Sequence, residues 1–503
     1  MGKYLVGLDN GGTFIKAVIF DIYGTTIATA YQQVELITPG EGRTERDMNA
    51  LWDANCTVLK EAIEKGCIQP SEILGVSLSG HGKGLYLWGK DNKPAYNGIV
   101  STDTRAYMYP EKWNNDGTAD KVFGKTCQKI LACQPVSLVS WLKDNSPEVM
   151  ENTKWIFGVK DYIRFRLTGE ANAEITDISG SNFVNIVEAR YDKELLRDFE
   201  LEDIYEKLPP LKYSTDISGY ITVETSKVTG LAEGTPVAAG MFDIDACAIA
   251  MDITDEDNLC VIAGTWSINE YISKEPILNK TVMMNSLYCI QGYYLVEECS
   301  PTSAANNEWF LNKFMSEEKV LAKEQGINVY DVINKMVESV KPDEQNIMFL
   351  PYIFGSNYNP QAKASLIGMD SSHTKAQIAR AVFEGIVFCH MVHIEKLLMN
   401  RSKPKAVRLA GGAANSKVWV QIFADVLNLP VEIIDTTELG ALGCAMAAGV
   451  AAGVFKDLKE AAKKLVKIKE RVEPIKENVE IYKSKFKLYK ETTEVLDNLW
   501  KKF

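Results

Sequence analysis

The sequence predicts an α/β chain made of two similar domains, and three observations carry that expectation. At 503 residues the chain is too long for a single core. A strand, a glycine turn and a second strand open it at residues 5–30, LVGLDNGGTFIKAVIFDIYGTTIATA. The same layout returns in shorter form as strand Asn258–Ala263, turn Gly264-Thr265 and a returning strand at 266–272. Two halves that each begin with such a hairpin point to duplication, with an N-terminal domain over 1–250 and a C-terminal domain over 251–503.

Bulk properties narrow the class. Hydrophobic residues make up 46% and charged residues 24%, the balance of a soluble globular protein. A net charge of −12 argues against nucleic acid or an anionic membrane as the main partner. No apolar run reaches the roughly 18 residues of a membrane span, and Met1-Gly2-Lys3 leads straight into a strand with no signal peptide. The ten cysteines include no CxxC pair and read as small buried hydrophobes in a reducing compartment, so a cytoplasmic enzyme is expected.

The opening turn is Asp9-Asn10-Gly11-Gly12-Thr13. Asn-Gly and Gly-Gly steps favour hairpins. The same residues have a chemical reading, because glycines let backbone N–H groups approach a phosphate and Asp9 can hold a hydrated divalent cation. On this stretch alone a plain hairpin turn is an equal alternative. Helical spacing then covers Met48–Lys65. A buried-type strand at 75–78 runs into Ser79-Gly80-His81-Gly82-Lys83-Gly84, and Ile99-Val100 runs into Ser101-Thr102-Asp103-Thr104-Arg105. Polar residues just past strand ends lie where α/β folds place ligands. Asp103 and Arg105 are read there either as ligand-facing or as a surface ion pair.

Helical patterns are expected over 119–142, 155–167 and 195–207, with a polar stretch at 176–181. A strand at 236–239 ends in Gly240-Met241-Phe242-Asp243-Ile244-Asp245, which sets a carboxylate at a strand-to-helix switch. In the second half a long helix is expected over 374–398, with His390 and His393 read as helix core rather than metal ligands. A strand at 407–410 runs through Gly411-Gly412-Ala413-Ala414-Asn415 into a helix at 418–427, a layout that aims a helix N-terminus at a phosphate or nucleoside. Neither GxGxxG nor GxxxxGK[ST] occurs, so this is not a Rossmann or P-loop site. A small-residue helix is expected at 439–454, and the Lys/Glu-rich stretch 456–503 reads as a solvated helical segment.

Three glycine-rich turns, at Gly11-Gly12-Thr13, Gly264-Thr265 and Gly411-Gly412, are enough to bracket one nucleotide. With them the chain resembles the FGGY carbohydrate kinases of the actin-like ATPase superfamily, from residue 4 to about 455. Residues 364–385, ASLIGMDSSHTKAQIARAVFEG, are similar throughout to the C-terminal signature of that family. The N-terminal signature is matched at Pro135, Trp141, Leu142, Asp144 and Asn145, while Leu138 stands where a lysine is usual.

The resemblance implies two duplicated actin-like, ribonuclease-H-like ATPase domains with a nucleotide and sugar cleft between them. The N-terminal domain would mainly bind sugar and the C-terminal domain mainly ATP. It implies ATP and Mg²⁺ as cofactors, Asp243 as general base, and Asp9, with Asp243, on the metal side. Gly12, Thr13, Lys16, Gly264 and Thr265 would meet the phosphates, and Gly411, Gly412 and Asn415 the adenosine. His81, Gly82 and Lys83 occupy the place of an arginine–glutamate pair in glycerol kinases and a methionine–histidine pair in D-xylulose kinases. Ser101 stands where many members carry tryptophan, and Cys133 where glycerol kinases carry tyrosine. Asp103 and Arg105 are kept, and Asp245 and Trp266 replace positions that are usually uncharged or small.

This pocket, with GMFDIDACA, AGTWS and VEECSPTSA, is most similar to the L-xylulose/3-keto-L-gulonate kinase branch, with erythritol kinases and other pentulose kinases as rivals. The partners expected are a small sugar or polyol and ATP, with no nucleic acid and no membrane, and a homodimer is left open. An actin-like ATPase switch without a sugar acceptor is the reading from a different class.

Overall fold

The computed structural model describes residues 3–12, 14–356, 359 and 361–502. The chain forms two compact units that do not follow one cut in the sequence. The first comprises Met1–Thr254, Ile272–Val296 and Thr436–Val466, and the second Asp255–Tyr271, Glu297–Asp435 and Lys467–Phe503.

The first unit is built on a mixed sheet. Strands β1 (Tyr4–Asn10), β2 (Phe14–Asp21) and β3 (Thr26–Gln33) form an antiparallel meander, paired from Tyr4 opposite Asp21 to Asn10 opposite Ile15. Strand β4 (Ile73–Gly80) lies parallel to β1 on its other side. With β5 (Ile217–Tyr220) and β6 (Pro236–Ala238) the order is β5-β6-β4-β1-β2-β3, and the short β7 (Met241–Phe242) also pairs with β4. Leu5, Val6, Leu8 and Val76 and Leu78 are buried, as in a central strand covered on both faces.

Helix Met48–Lys65 takes the span its spacing predicts. The Asp47 side chain accepts from the N–H groups of Asn49 and Ala50 and so caps its start, and Leu51, Val58 and Leu59 are buried. The small-residue helix Leu439–Ala451 also belongs to this unit and lies against β1 and β4. Its approach is close enough that a Cβ on Gly7 would stand 1.9 Å from the carbonyl oxygen of Ala441. Only glycine fits there.

In the second unit β8 (Asn258–Ala263) and β9 (Ser267–Ser273) form the recurring hairpin, with Ala263 opposite Ser267. Strand β10 (Ala406–Ala410) runs parallel to β8, β11 (Val431–Ile434) parallel to β10, and β12 (Ile468–Val472) antiparallel to β11. Helix Lys375–Leu398 begins in a capping box in which the Thr374 side chain and the Gln377 backbone and side chain satisfy each other.

Four expected helical stretches come out differently. Residues 119–142 break into helices Thr118–Thr126 and Pro135–Asn145, because Cys127 turns left-handed at φ 52° and Pro135 can start a helix but not continue one. Within 155–167, Thr153–Phe157 is a strand paired with Tyr86–Gly89, and the helix starts only at Val159 after Gly158. Trp155, Ile156 and Phe157 are β-formers, and the pairing wins. The stretch 195–207 divides at Glu200, which has φ 62°. The terminal segment is not a solvated helical face. It holds helix Leu458–Leu465, strand β12 and helix Lys476–Asp497, which buries Val479, Tyr482, Phe486 and Tyr489.

Candidate active site

The first unit gathers its acidic candidates at the C-terminal ends of three neighbouring strands. Asp9 on β1 lies opposite Ser79 on β4, and Phe242 at the end of β7 lies opposite Gly80. Ser79 Oγ donates to Asp9 Oδ1 at 2.7 Å. Asp243 opens helix Asp243–Ala250, so its carboxyl sits at a helix N-terminus. Burial raises the Asp9 carboxyl pKa, opposed by the Ser79 hydrogen bond and Lys16 and reinforced by Glu438. The Asp243 carboxyl is pushed well above the usual range, first by burial, then by the charges of Asp9 and Asp177, against Ile244 N–H and Lys83. By surface area both residues are only partly covered. The atoms packed around the carboxyl groups set their desolvation, and there the protein dominates.

Lys16, paired with Asp9 across the hairpin, reaches Glu438 at 3.2 Å. Glu438 immediately precedes helix Leu439–Ala451, whose second residue presses on the acid: a Cβ on Gly440 would stand 2.9 Å from Asp9 Oδ2. Gly12 is exposed in the opening turn, and among the described residues beyond its chain neighbours a Cβ there would meet nothing within 4 Å. Thr13 lies outside the described residues.

The candidates for the sugar fall into two sets. His81, Gly82 and Lys83 adjoin the Phe242-Asp243 step. A Cβ on Gly82 would stand 2.3 Å from the Phe242 ring, and Lys83 Nζ lies 5.9 Å from the centre of that ring. His81 Nε2 faces Tyr86 Oη at 3.0 Å, and burial, then the Arg46 charge, lowers its pKa to about 3, which keeps the imidazole neutral. Asp103 and Arg105 form a buried pair rather than a surface one. Arg105 Nε and Nη2 donate to Asp103, Nη2 also donates to Glu45 Oε1 at 2.7 Å, and Thr44 N–H donates to Asp103 Oδ2 at 2.7 Å. Asp245 is fully buried and accepts the Cys289 N–H at 3.0 Å.

In the second unit Gly264 and Thr265 form the turn between β8 and β9, and the Trp266 side chain is 37% exposed beside them. Gly411 packs onto that turn with φ +86°. A Cβ there would stand 2.4 Å from the Ala263 carbonyl oxygen and 2.8 Å from the Gly264 nitrogen. Gly412 and Asn415 bound the 3₁₀ turn that follows, and helix Lys417–Leu427 begins behind it. The structure therefore brings Gly264, Thr265, Gly411 and Gly412 to one corner of the second unit. His390 lies in its core: Nδ1 donates to Asn269 Oδ1 at 2.8 Å and faces Ser267 Oγ at 2.9 Å, while Nε2 accepts from Ser303 Oγ at 2.8 Å.

Several residues of the acidic corner were not singled out from sequence. The Thr176 hydroxyl accepts the Phe242 N–H at 2.9 Å and donates to Glu174 Oε2 at 2.7 Å, which fixes the backbone just before Asp243. Buried Lys160 faces Asp161, Glu174 and Asp177 at 3.1–3.4 Å, and burial, only partly offset by Lys160, raises Asp177 to about 6. The polar stretch at 176–181 is the signal that pointed to this cluster. Glu438 has a weaker one, a single acid before a run of glycine and alanine.

The donor set suits a hydrated divalent cation. Asp9 and Asp243 are hard oxygen donors that repel each other, and a cation would relieve both. Among the described residues no group of three or more His, Cys, Asp or Glu is placed to hold a metal ion. Mg²⁺ typically takes one or two carboxylates and keeps waters or phosphate oxygens for the rest.

Comparison with known proteins agrees over most of the chain. Residues 4–250 match the N-terminal domain of the FGGY family of carbohydrate kinases, and residues 259–452 match its C-terminal domain. The chain is 36% identical to a probable L-xylulose kinase of Haemophilus influenzae, across 88% of this chain and 90% of that protein. It is 34% identical to the L-xylulose/3-keto-L-gulonate kinase of Escherichia coli, across 92% and 91%. Among solved structures, the ligand-bound xylulose kinase of Lactobacillus acidophilus superposes with a TM-score of 0.91 at 25% identity, covering 100% of both chains. The Plasmodium falciparum glycerol kinase with ADP superposes at 0.85 and 18% identity, covering 98% and 99%, a likeness of fold alone. The fold is thus the two-domain FGGY carbohydrate kinase fold, of the actin-like, ribonuclease-H-like ATPase class. Among the described residues no helix is long and apolar enough to cross a membrane.

Proposed function

The chain belongs to the FGGY family of carbohydrate kinases and is an ATP-dependent sugar kinase, and on that footing we propose that its acceptor is a ketopentose such as L-xylulose, or 3-keto-L-gulonate. The observation that carries the reading is the pair Asp9 and Asp243 at the ends of two strands that both pair with β4, where the charge of Asp9 adds to burial in raising the Asp243 pKa. The names of the relatives at 34–36% identity support the sugar.

In this reading Asp243 is the general base. Its raised basicity suits it to take the proton from the sugar hydroxyl that attacks the γ-phosphoryl group. The Thr176 hydroxyl and the N-terminus of helix Asp243–Ala250 hold the carboxyl in place. Asp9, with Asp243, would hold Mg²⁺, which when bound supplies charge neutralisation on the phosphates. Gly12, Thr13 and Lys16 would meet phosphate from the first unit. In the second, Gly264 and Thr265 would meet phosphate, and Gly411, Gly412 and Asn415 would lie along the adenosine. His81, Gly82, Lys83, Asp103, Arg105, Asp245 and Trp266 are assigned to the sugar. Domains over 1–250 and 251–503 would divide the work, sugar mainly in the first and ATP mainly in the second. Ten cysteines with no CxxC pair among them support a cytoplasmic location.

A coupled assay of ADP release across L-xylulose, D-xylulose, L-ribulose, 3-keto-L-gulonate and erythritol tests the assignment. The expected result is the highest kcat/KM with L-xylulose or 3-keto-L-gulonate. A preference for erythritol would overturn the sugar assignment, and ADP release indifferent to any sugar would point instead to the ATPase switch.

A further inference from the structure

Arg46 is 1% exposed, and its guanidinium ends under the opening turn. Nη1 donates to the Gly11 carbonyl at 3.3 Å and Nη2 to the Gly12 carbonyl. Neither contact neutralises its charge. The neighbouring carboxylate, Glu45, is already taken by Arg105, Tyr96 and Asn97 at 2.7–3.0 Å. Among the described residues Arg46 has no acidic partner, and its Nε has no hydrogen-bond acceptor. A buried arginine without a counter-ion is costly, and such a group is expected where it serves something besides stability.

The geometry says what it serves. In a planar trans peptide the carbonyl and the next N–H point in opposite directions. Holding the Gly11 carbonyl inward therefore turns the Gly12 N–H outward, toward the exposed side of the turn. The residue just before the turn is fixed as well: Asn55 Nδ2 donates to Asn10 Oδ1 at 2.8 Å from helix Met48–Lys65. One short stretch, residues 46–55, thus braces the turn from below with a cation and an amide.

We propose that Arg46 is a positioning residue that orients the Gly11-Gly12 turn for polyphosphate and adds an uncompensated positive charge beneath it. The inference rests on assigning that turn to the phosphates of ATP. An anion above the turn would then meet the outward Gly12 N–H with a fixed cation behind it.

The test compares Arg46→Gln, Arg46→Lys and Gly12→Ala, by calorimetric titration with the β,γ-imido analogue of ATP and with adenosine, beside the melting temperature and both KM values. Arg46→Gln is expected to weaken the ATP analogue about tenfold and to raise the ATP KM, leaving adenosine affinity and the sugar KM unchanged. Arg46→Lys keeps the charge but not the two-carbonyl grip, and should recover part of the loss. Equal weakening of the ATP analogue and adenosine would mark Arg46 as merely structural. No weakening of either would overturn the proposal too. If Arg46→Gln fails to fold, Arg46→Lys with wild-type affinity for the ATP analogue overturns it. Gly12→Ala separates the two assignments, because among the described residues beyond its chain neighbours its Cβ would have nothing within 4 Å, whereas a ligand over the turn would meet it. If that variant binds the ATP analogue normally, the phosphate assignment of the turn falls. If it binds weakly while Arg46→Gln does not, the Arg46 inference alone falls.

Discussion

The two hairpin turns, Gly11-Gly12 and Gly264-Thr265, share a strand–turn–strand backbone but not what holds it. The first is braced by side chains from below, with Arg46 on two carbonyls and Asn55 on Asn10. The second is braced by shape: Gly411 packs onto its backbone, and the neutral imidazole of His390 ties Ser267 and Asn269 behind it. The repeated element is therefore the backbone form alone. Charge gathers at the first turn, where Asp9, Lys16, Glu438 and Asp243 also lie.

That contrast can be broken at four places, in decreasing order of effect. Asp243→Asn removes the proposed base and should lower kcat by about 10²–10⁴-fold while ATP binding persists. Near-normal turnover would end the assignment. Gly411→Ala forces a Cβ against the Ala263 carbonyl at a left-handed φ and should cost about 1–3 kcal/mol in urea unfolding and raise the ATP KM. A variant as stable as the parent would show that the second turn is not held by shape. Lys83→Met or Asp245→Asn should raise the sugar KM several-fold, about 1 kcal/mol in binding, with the ATP KM little changed. Equal effects on both KM values would remove these residues from the sugar pocket.

The smallest expected effect is thermodynamic and runs the other way. A carboxyl whose folded pKa lies above its unfolded value favours the fold at low pH and loses that contribution as pH rises through the folded pKa. Asp243 is such a group, and asparagine does not titrate. The melting temperature of Asp243→Asn should therefore exceed that of the parent by a margin that widens as pH rises from 4 to neutrality, measured without nucleotide or divalent cation. A margin independent of pH would mean that the carboxylate is not strained in the fold.

Much of this was legible in the sequence where local signals agree with packing. Helix Met48–Lys65, the hairpin strands and helix Lys375–Leu398 follow from spacing, caps and glycine turns. Asp9 and Asp243 were legible too, because each ends a strand in a polar switch. What sequence could not supply is partnership across long separations. Arg46 sits in a charged loop pattern, and nothing local says that its guanidinium turns inward to Gly11 and Gly12. Asp103 and Arg105 look alike on a surface or in a core until Glu45 and Thr44 close around them. The terminal segment misled for a related reason: its lysines and glutamates hide a tyrosine–phenylalanine stripe at Tyr482, Phe486 and Tyr489 that only tertiary packing reveals.

Helix Leu439–Ala451 carries a consequence for how the chain is made. It lies on β1, yet more than 400 residues separate Gly7 from its contact at Ala441. During synthesis the strand that bears Asp9 must wait, with one apolar face uncovered, until residues 439–451 have emerged. At about 5–20 residues per second that interval lasts roughly 20–90 seconds. Early folding can form the meander and helix Met48–Lys65, but a fragment ending before residue 436 lacks the cover of β1. The late helix also brings Glu438 and Gly440 to Asp9, so covering β1 and assembling the acidic corner are one event.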